Sequence, residues 1–242
     1  MKHIPNFITS LNLVSGFSAI IFAARGDIII ASWLIVAAMI FDFFDGFAAR
    51  LLKSYSDLGK ELDSLADIVS FGVAPAIIIF HFLSNALSPD AMILLTENIG
   101  YSILLFLPVV MPVCAAFRLA KFNLDPEQST DFRGLPTPAN AIAVVSVVLA
   151  FNNSSSPLLN SFVSSPVWLT LFTFTLSLLM VSRIPLFSLK IKNFEFRGNE
   201  GRYILVVLIL ITLLLFGMSS LPLIIPFYIA ASVVHYRIIR KA

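Results

Sequence analysis

Four aspartates stand where an apolar sequence should not tolerate them. Asp42 and Asp45 lie within Ile40-Phe41-Asp42-Phe43-Phe44-Asp45-Gly46-Phe47, and Asp63 and Asp67 within Leu62-Asp63-Ser64-Leu65-Ala66-Asp67-Ile68-Val69. Near the centre of a bilayer an ionised carboxylate costs roughly 3 kcal/mol, so four together cost on the order of 10. No four lysines or arginines are interleaved to neutralise them. Spacings of three and four put each pair on one face of its helix. Carboxylates converging in one cavity are hard oxygen donors, suited to Mg²⁺ or Mn²⁺ rather than to a soft metal. Two such ions cancel the formal charge of the four groups. The other reading is a cation transporter or channel, with carboxylates lining a water path. Such a protein more often spreads its charges over several helices, whereas these crowd into two.

The elements that must position these groups are set by composition. The chain has 242 residues, 58% hydrophobic and 12% charged, with a mean hydropathy of +0.94. That is too little charge to cover a soluble domain. Apolar runs of about bilayer length (roughly 20 residues) recur from end to end. The expected fold is all-α, a polytopic transmembrane helix bundle in one integral membrane domain, 1–242, surrounded by lipid and not by nucleic acid. Eight apolar segments are expected, at 8–24, 28–52, 59–84, 98–122, 137–152, 167–183, 202–217 and 219–239. The last two also read as one hairpin broken around Pro222, and Asn152 to Ser165 reads as a plain loop containing the sequon Asn153-Ser154-Ser155.

Cys114, the single cysteine, excludes an internal disulfide and a cysteine metal site; it reads as a small buried hydrophobe. His3, His81 and His235 show no paired ligand spacing. The first apolar stretch runs on without a small-residue cleavage site, so no cleaved leader is expected.

Charge gives orientation. Lys2; Arg50, Lys53 and Lys60; Arg118, Lys121 and Arg133; Arg183, Lys190, Lys192, Arg197 and Arg202; and Arg237, Arg240 and Lys241 fall in one set of connections, fifteen of the sixteen basic residues. The alternate connections hold only Arg25. By the positive-inside rule both termini and the loops 2–3, 4–5 and 6–7 face the cytoplasm, consistent with residence in the cell membrane. Segment two then descends to its cytoplasmic end near Leu52, leaving Asp45 roughly 10 Å below it, while Asp63 and Asp67 lie roughly 6–12 Å down segment three. The two pairs share one depth on adjacent antiparallel helices.

The run Asp42-x2-Asp45-Gly46-x2-Ala49-Arg50-x8-Gly59-x3-Asp63-x3-Asp67 resembles the full signature of the CDP-alcohol phosphotransferase family, without departure. The resemblance implies a six-helix catalytic core, expected within 1–190, with 202–239 as additional helices. It further implies a homodimer, two divalent ions, and transfer of a phosphatidyl or similar group from a CDP-linked donor to an alcohol with release of CMP. Carried over, Asp42, Asp45, Asp63 and Asp67 are the metal ligands, and Asp67 is also the proton acceptor. Gly46, Ala49, Arg50, Ser56 and Gly59, with Thr9 and Asn12 of the first segment, are expected to bind the CDP moiety. Physical chemistry agrees for two of these. Gly46 has no side chain to obstruct the nucleotide, and Arg50 can fork onto a phosphate. Close helix packing is the other reading of Gly46, and a turn that of Ser56.

Three further stretches are similar to the phosphatidylserine synthase branch of that family: Pro5 to Asn12, Ser70 to Ala76, and Phe117 to Asn123 followed by Phe132 to Pro138. With these the likeness spans about 5–140. It implies CDP-diacylglycerol as donor and L-serine as acceptor, with glycerol phosphate or an inositol compound as the competing alcohols. Free serine is a zwitterion whose carboxylate needs a cation. Arg118, Lys121, Asn123 and Arg133 are the candidates for the acceptor side. Pro75 is expected to kink the third segment. No activated Cys or Ser–His pair suggests a covalent intermediate, so one in-line displacement is expected.

Overall fold

The computed structural model describes residues 3–87, 99–124, 131–187 and 199–236. Several residues of the basic asymmetry (Lys2, Lys190, Lys192, Arg197, Arg237, Arg240 and Lys241) lie outside them. Helix α1 spans Ile4–Ala24 and α2 Ile28–Leu51. Helix α3, Asp57–Asp67, passes through a π-helical turn, Ile68–Val73, into α4, Ala74–Leu87. Helix α5, Ile99–Phe106, continues through a 3₁₀ turn at Leu107–Val109 into α6, Val110–Leu124. Strand β1, Asp131–Arg133, leads to α7, Thr137–Asn153. Then follow α8, Pro157–Val163; α9, Pro166–Val181; β2, Pro185–Phe187; α10, Glu200–Phe216; a 3₁₀ turn, Gly217–Leu223; and α11, Ile224–Val234.

Within the described residues, each of the eight expected apolar segments is mainly helical. α1, α2, the α3–α4 run, the α5–α6 run from Ser102 and the stretch 200–234 are long and apolar enough to cross a membrane. α8 and α9, bent by 80° to each other, are long and apolar enough only when taken as a pair. The stretch 200–234 does not run straight. A Cβ on Gly201 would stand 3.3 Å from His235 Cβ, whereas a straight helix of that length would hold the two residues about 50 Å apart. The chain doubles back at Gly217, whose φ of +57 suits a residue without a side chain, and in the 3₁₀ turn that holds Pro222.

One expectation changes. Residues 152–165 are not a plain loop: α8 occupies Pro157–Val163, with Ser156 before it and a proline in its first turn. Pro75, expected to kink the third segment, comes just after the π-turn. A proline has no N–H for the carbonyl four residues back, that of Phe71. Asn140 of α7 supplies the missing donor, its Nδ2 bonding Phe71 O at 3.0 Å.

α7 is the central helix. Eleven of its 17 residues are buried, chiefly Ala and Val, as befits a helix apolar on all sides. Around it the helices close on small residues. A Cβ at Gly16 would fall on Ser70 Oγ and 2.7 Å from Ser70 Cα, and one at Gly72 would stand 3.2 Å from Ala115 Cβ. This draws α1 and α6 onto the π-turn, as small residues do in membrane bundles. Half-buried Cys114 packs against the same core.

β1 and β2 form a two-stranded antiparallel ribbon that pairs Asp131 with Phe187, Phe132 with Leu186 and Arg133 with Pro185. Gly134 N bonds Ile184 O and Leu135 N bonds Leu179 O, each at 2.9 Å. Gly134 turns the chain into α7 at φ +80, where a Cβ would meet Met180 O at 2.6 Å. The start of α1, the α2–α3 turn, the end of α6, the ribbon, and the Gly201–His235 contact therefore gather at one end of the bundle. Gly26, beside the His81 ring, and the Ser154–Ser219 hydrogen bond mark the other.

Candidate active site

The site is built where the first three helices meet α6 and α7. Oxygens of Asp42, Asp63 and Asp67 all lie within 4.8 Å of one another. Asp67 is 7% exposed, and its Oδ1 is buried without a hydrogen-bond partner. Its Oδ2 accepts from Thr137 Oγ1 at 3.3 Å. A buried carboxylate oxygen in that state is costly unless a cation or a proton-bearing group meets it. Three converging carboxylates without sulfur or imidazole make a donor set for a hard divalent cation, and the residues present fit one.

Asp45 stands apart from this group. A three-residue step turns it about 60° from Asp42 around the helix, toward α1. There Thr9 Oγ1 lies 2.6 Å from Asp45 Oδ2 and 3.0 Å from Pro5 O. The hydroxyl has one proton, and the shorter, charge-assisted bond to Asp45 takes it. Three of the four carboxylates converge at one point, and the fourth lines an adjoining pocket.

That pocket has a volume of about 230 Å³ and is lined by Thr9, Asp45, Gly46, Ala49, Arg50, Ser56, Gly59 and Asp63, among others. Six of the seven residues expected on the donor side line it. The exception is Asn12: it is fully buried, and its backbone carbonyl accepts from Ser70 Oγ at 3.1 Å. Its backbone marks the α1–π-turn contact instead, and its side-chain amide is buried without a hydrogen-bond partner. Gly46 faces open space, since a Cβ there would meet only Arg50 Nη1, at 3.7 Å. Helix packing does not account for that glycine. Ser56 caps α3, accepting from Gly59 N at 3.0 Å, a local role that leaves it on the pocket wall. Above it, α2 ends in a hydrogen-bond pattern that runs Ser54 N to Ala49 O and Lys53 N to Arg50 O. This Schellman pattern usually uses glycine at the left-handed position; Lys53 holds it here at φ 48.

The four acceptor-side candidates separate. Arg118 is 8% exposed, its Nε is buried without a hydrogen-bond partner, and its charge interacts with Asp67. Asn123 ties α6 to α3 instead: its Nδ2 bonds Ser64 Oγ and its carbonyl accepts from Lys60 Nζ, both at 2.9 Å. Lys121 and Arg133 are exposed. Lys121 follows Arg118 by three residues on the same side of α6 but stays at the surface, and Arg133 is exposed at the end of β1.

Several residues at the site were not picked out from sequence: Asn6, Tyr55 and Lys60 on the pocket wall, Thr137 on Asp67, and Asn140 on the π-turn. Thr137 and Asn140 carry a legible signal, being polar residues at the head of an apolar helix.

The CDP-alcohol phosphatidyltransferase family profile matches residues 2–180, a longer stretch than the 5–140 of the motif likeness. The CDP-diacylglycerol–serine O-phosphatidyltransferase of Bacillus subtilis is 36% identical over 184 residues, covering 76% of this chain and 89% of the relative. The enzyme of the same name from Mycobacterium leprae is 34% identical over 194 residues, covering 77% of this chain and 58% of the relative. That from Methanocaldococcus jannaschii is 33% identical over 150 residues, 62% of each chain. The chain thus spans about three-fifths of the length of these last two relatives. With the profile covering most of its length and the signature carboxylates converging, the chain belongs to the CDP-alcohol phosphatidyltransferase family.

Proposed function

We propose that this protein is a phosphatidylserine synthase, transferring the phosphatidyl group of CDP-diacylglycerol to L-serine with release of CMP. The observation that carries the reading is the convergence of Asp42, Asp63 and Asp67 beside a pocket lined by Gly46 and Arg50. The names of the relatives support serine as the acceptor and CDP-diacylglycerol as the donor.

In this reading Arg50 and Lys60 hold the donor phosphates, and open space at Gly46 admits the nucleotide. Asp42, Asp63 and Asp67, with Asp45 at the pocket edge, hold divalent ions, taken as two of Mg²⁺ or Mn²⁺. When bound, these neutralise the pyrophosphate charge. Thr137 fixes one oxygen of Asp67, so that the other faces the acceptor. Asp67 takes the proton of the serine hydroxyl as that oxygen forms its bond to the phosphatidyl phosphorus. The phosphoanhydride bond breaks, and CMP leaves with its electron pair. Arg118, buried with an open Nε, is suited to the serine carboxylate because its planar fork matches two oxygens. Lipid donor and water-soluble acceptor meet at a site near one end of the bundle, read as cytoplasmic. Residues 1–190 make the catalytic core, 202–239 are additional helices, and two copies form a homodimer.

The test is a purified preparation given CDP-diacylglycerol, a divalent metal and one alcohol at a time. Phosphatidylserine and CMP are expected from L-serine. Turnover of glycerol phosphate or an inositol compound in place of serine overturns the acceptor and leaves the phosphotransferase. Cation transport without CMP release overturns both.

A further inference from the structure

The C-terminal hairpin lies outside the family-matched residues 2–180, yet it is tied to the site. Tyr228 of α11 is 3% exposed, and its hydroxyl donates to Phe187 O at 2.9 Å. Its ring meets the Phe187 ring edge-on at 5.4 Å. The Arg202 guanidinium of α10 sits 5.6 Å from the centre of that ring, and Nη1 is anchored on Asn199 Oδ1 at 2.7 Å. Gly201 allows this approach, since a Cβ there would stand 3.1 Å from Phe187 Cε1. The hairpin thus clamps Phe187 by its ring and its carbonyl.

Phe187 ends β2, and β2 holds β1. The residues following β1 are themselves fastened to the end of α9 and its loop, through Gly134 and Leu135. Two residues farther on, Thr137 bonds Asp67. A continuous run of contacts therefore leads from Tyr228 to the carboxylate read as the base. Tyr228 also lies in the neighbourhood of Arg118, the cation read as the acceptor's partner. None of the residues lining the donor pocket belongs to the hairpin or the ribbon. The donor side rests on α1, α2 and α3, and the hairpin braces the opposite wall.

We propose that Tyr228 is a positioning residue for the acceptor: by pinning Phe187 it holds the ribbon and Thr137 in the register at which Asp67 and Arg118 receive the alcohol. This rests on the reading of Asp67 and Arg118 given above. It assigns the unmatched hairpin a part in acceptor use while leaving donor binding to the rest of the bundle.

The test is Tyr228→Phe, which keeps the ring and removes the hydroxyl, assayed by varying each substrate at saturating levels of the other. One lost hydrogen bond should raise KM for L-serine about five-fold, with KM for CDP-diacylglycerol unchanged. A purely structural role would lower the active fraction, and so kcat, without moving the serine KM. An unchanged serine KM, or a parallel rise in both KM values, overturns the proposal. If Tyr228→Phe does not survive purification, Arg202→Leu carries the test. It removes the cation from the same ring at a half-buried position, and the same split is expected. If the wild type uses another alcohol, the acceptor reading fails on the wild type alone, and KM for that alcohol becomes the measured quantity for Tyr228.

Discussion

At the scale of single residues, the structure separates carboxylates that the signature treats alike. Asp67 is buried with one oxygen on Thr137 and the other without a hydrogen-bond partner. Asp67→Asn is expected to lower kcat by about 10²–10⁴, the range for loss of a general base, with the donor KM held. Asp42→Asn and Asp63→Asn should instead shift the metal concentration needed for half-maximal rate. Initial rates against Mn²⁺ and donor concentration distinguish these outcomes, and identical profiles for all three variants contradict the division of labour. Two glycines give a second contrast. Gly46→Ala adds a methyl group into open space and should leave the unfolding temperature alone while raising the donor KM. Gly16→Ala pushes a methyl group into the Ser70 backbone and should cost about 1–3 kcal/mol through overpacking. Thermal unfolding in detergent decides, and a destabilised Gly46→Ala would restore the packing explanation.

The elements are organised around the π-turn that follows Asp67. π-turns inside helices recur at functional sites, and here the cause is local. Pro75 cannot bond the Phe71 carbonyl, and Asn140 does so from the neighbouring helix. The bond also fastens α7 to the α3–α4 run one turn past the carboxylates. Asn140→Leu leaves a buried carbonyl without its donor and should cost about 1–3 kcal/mol. Pro75→Ala in that background returns a backbone N–H and should recover part of the loss. Unfolding temperatures of wild type, single and double variants test this, and a double variant no more stable than Asn140→Leu refutes the account.

For the whole molecule, the contacts among the described residues gather the start of α1 and the end of α11 at the same end of the bundle. Arg50, Lys53, Lys60, Arg118, Lys121, Arg133, Arg183 and Arg202 belong to elements that meet there, and Arg25 lies at the other end. This arrangement supports the positive-inside reading. Reporters fused after Lys53, after Lys192 and at the C-terminus are expected to read as cytoplasmic, and one within 152–165 as external. A cytoplasmic reading at 152–165 would mean a segment count wrong by one. The carboxylate site lies near the basic end.

Sequence alone determined the membrane bundle, the approximate segments, the carboxylate motif and most of the donor pocket. These follow from hydropathy, charge asymmetry and fixed spacing along single helices or between two consecutive ones, all of which are local. Only the tertiary structure decided which carboxylates converge. Asp42 and Asp45 share a helix face, but α1 supplies Thr9 to one of them, and no spacing within α2 encodes that neighbour. Likewise Arg118, Lys121, Asn123 and Arg133 are equally basic or polar on paper. Burial beside Asp67 singles out Arg118, while Asn123 is taken up by α3. Thr137, Asn140 and Tyr228 lie 70, 73 and 161 residues beyond Asp67 and reach the site, directly or through the π-turn and the ribbon, because α7 runs through the centre and the chain doubles back at Gly217. Contacts across such separations are set by helix packing, which a periodic apolar sequence leaves open.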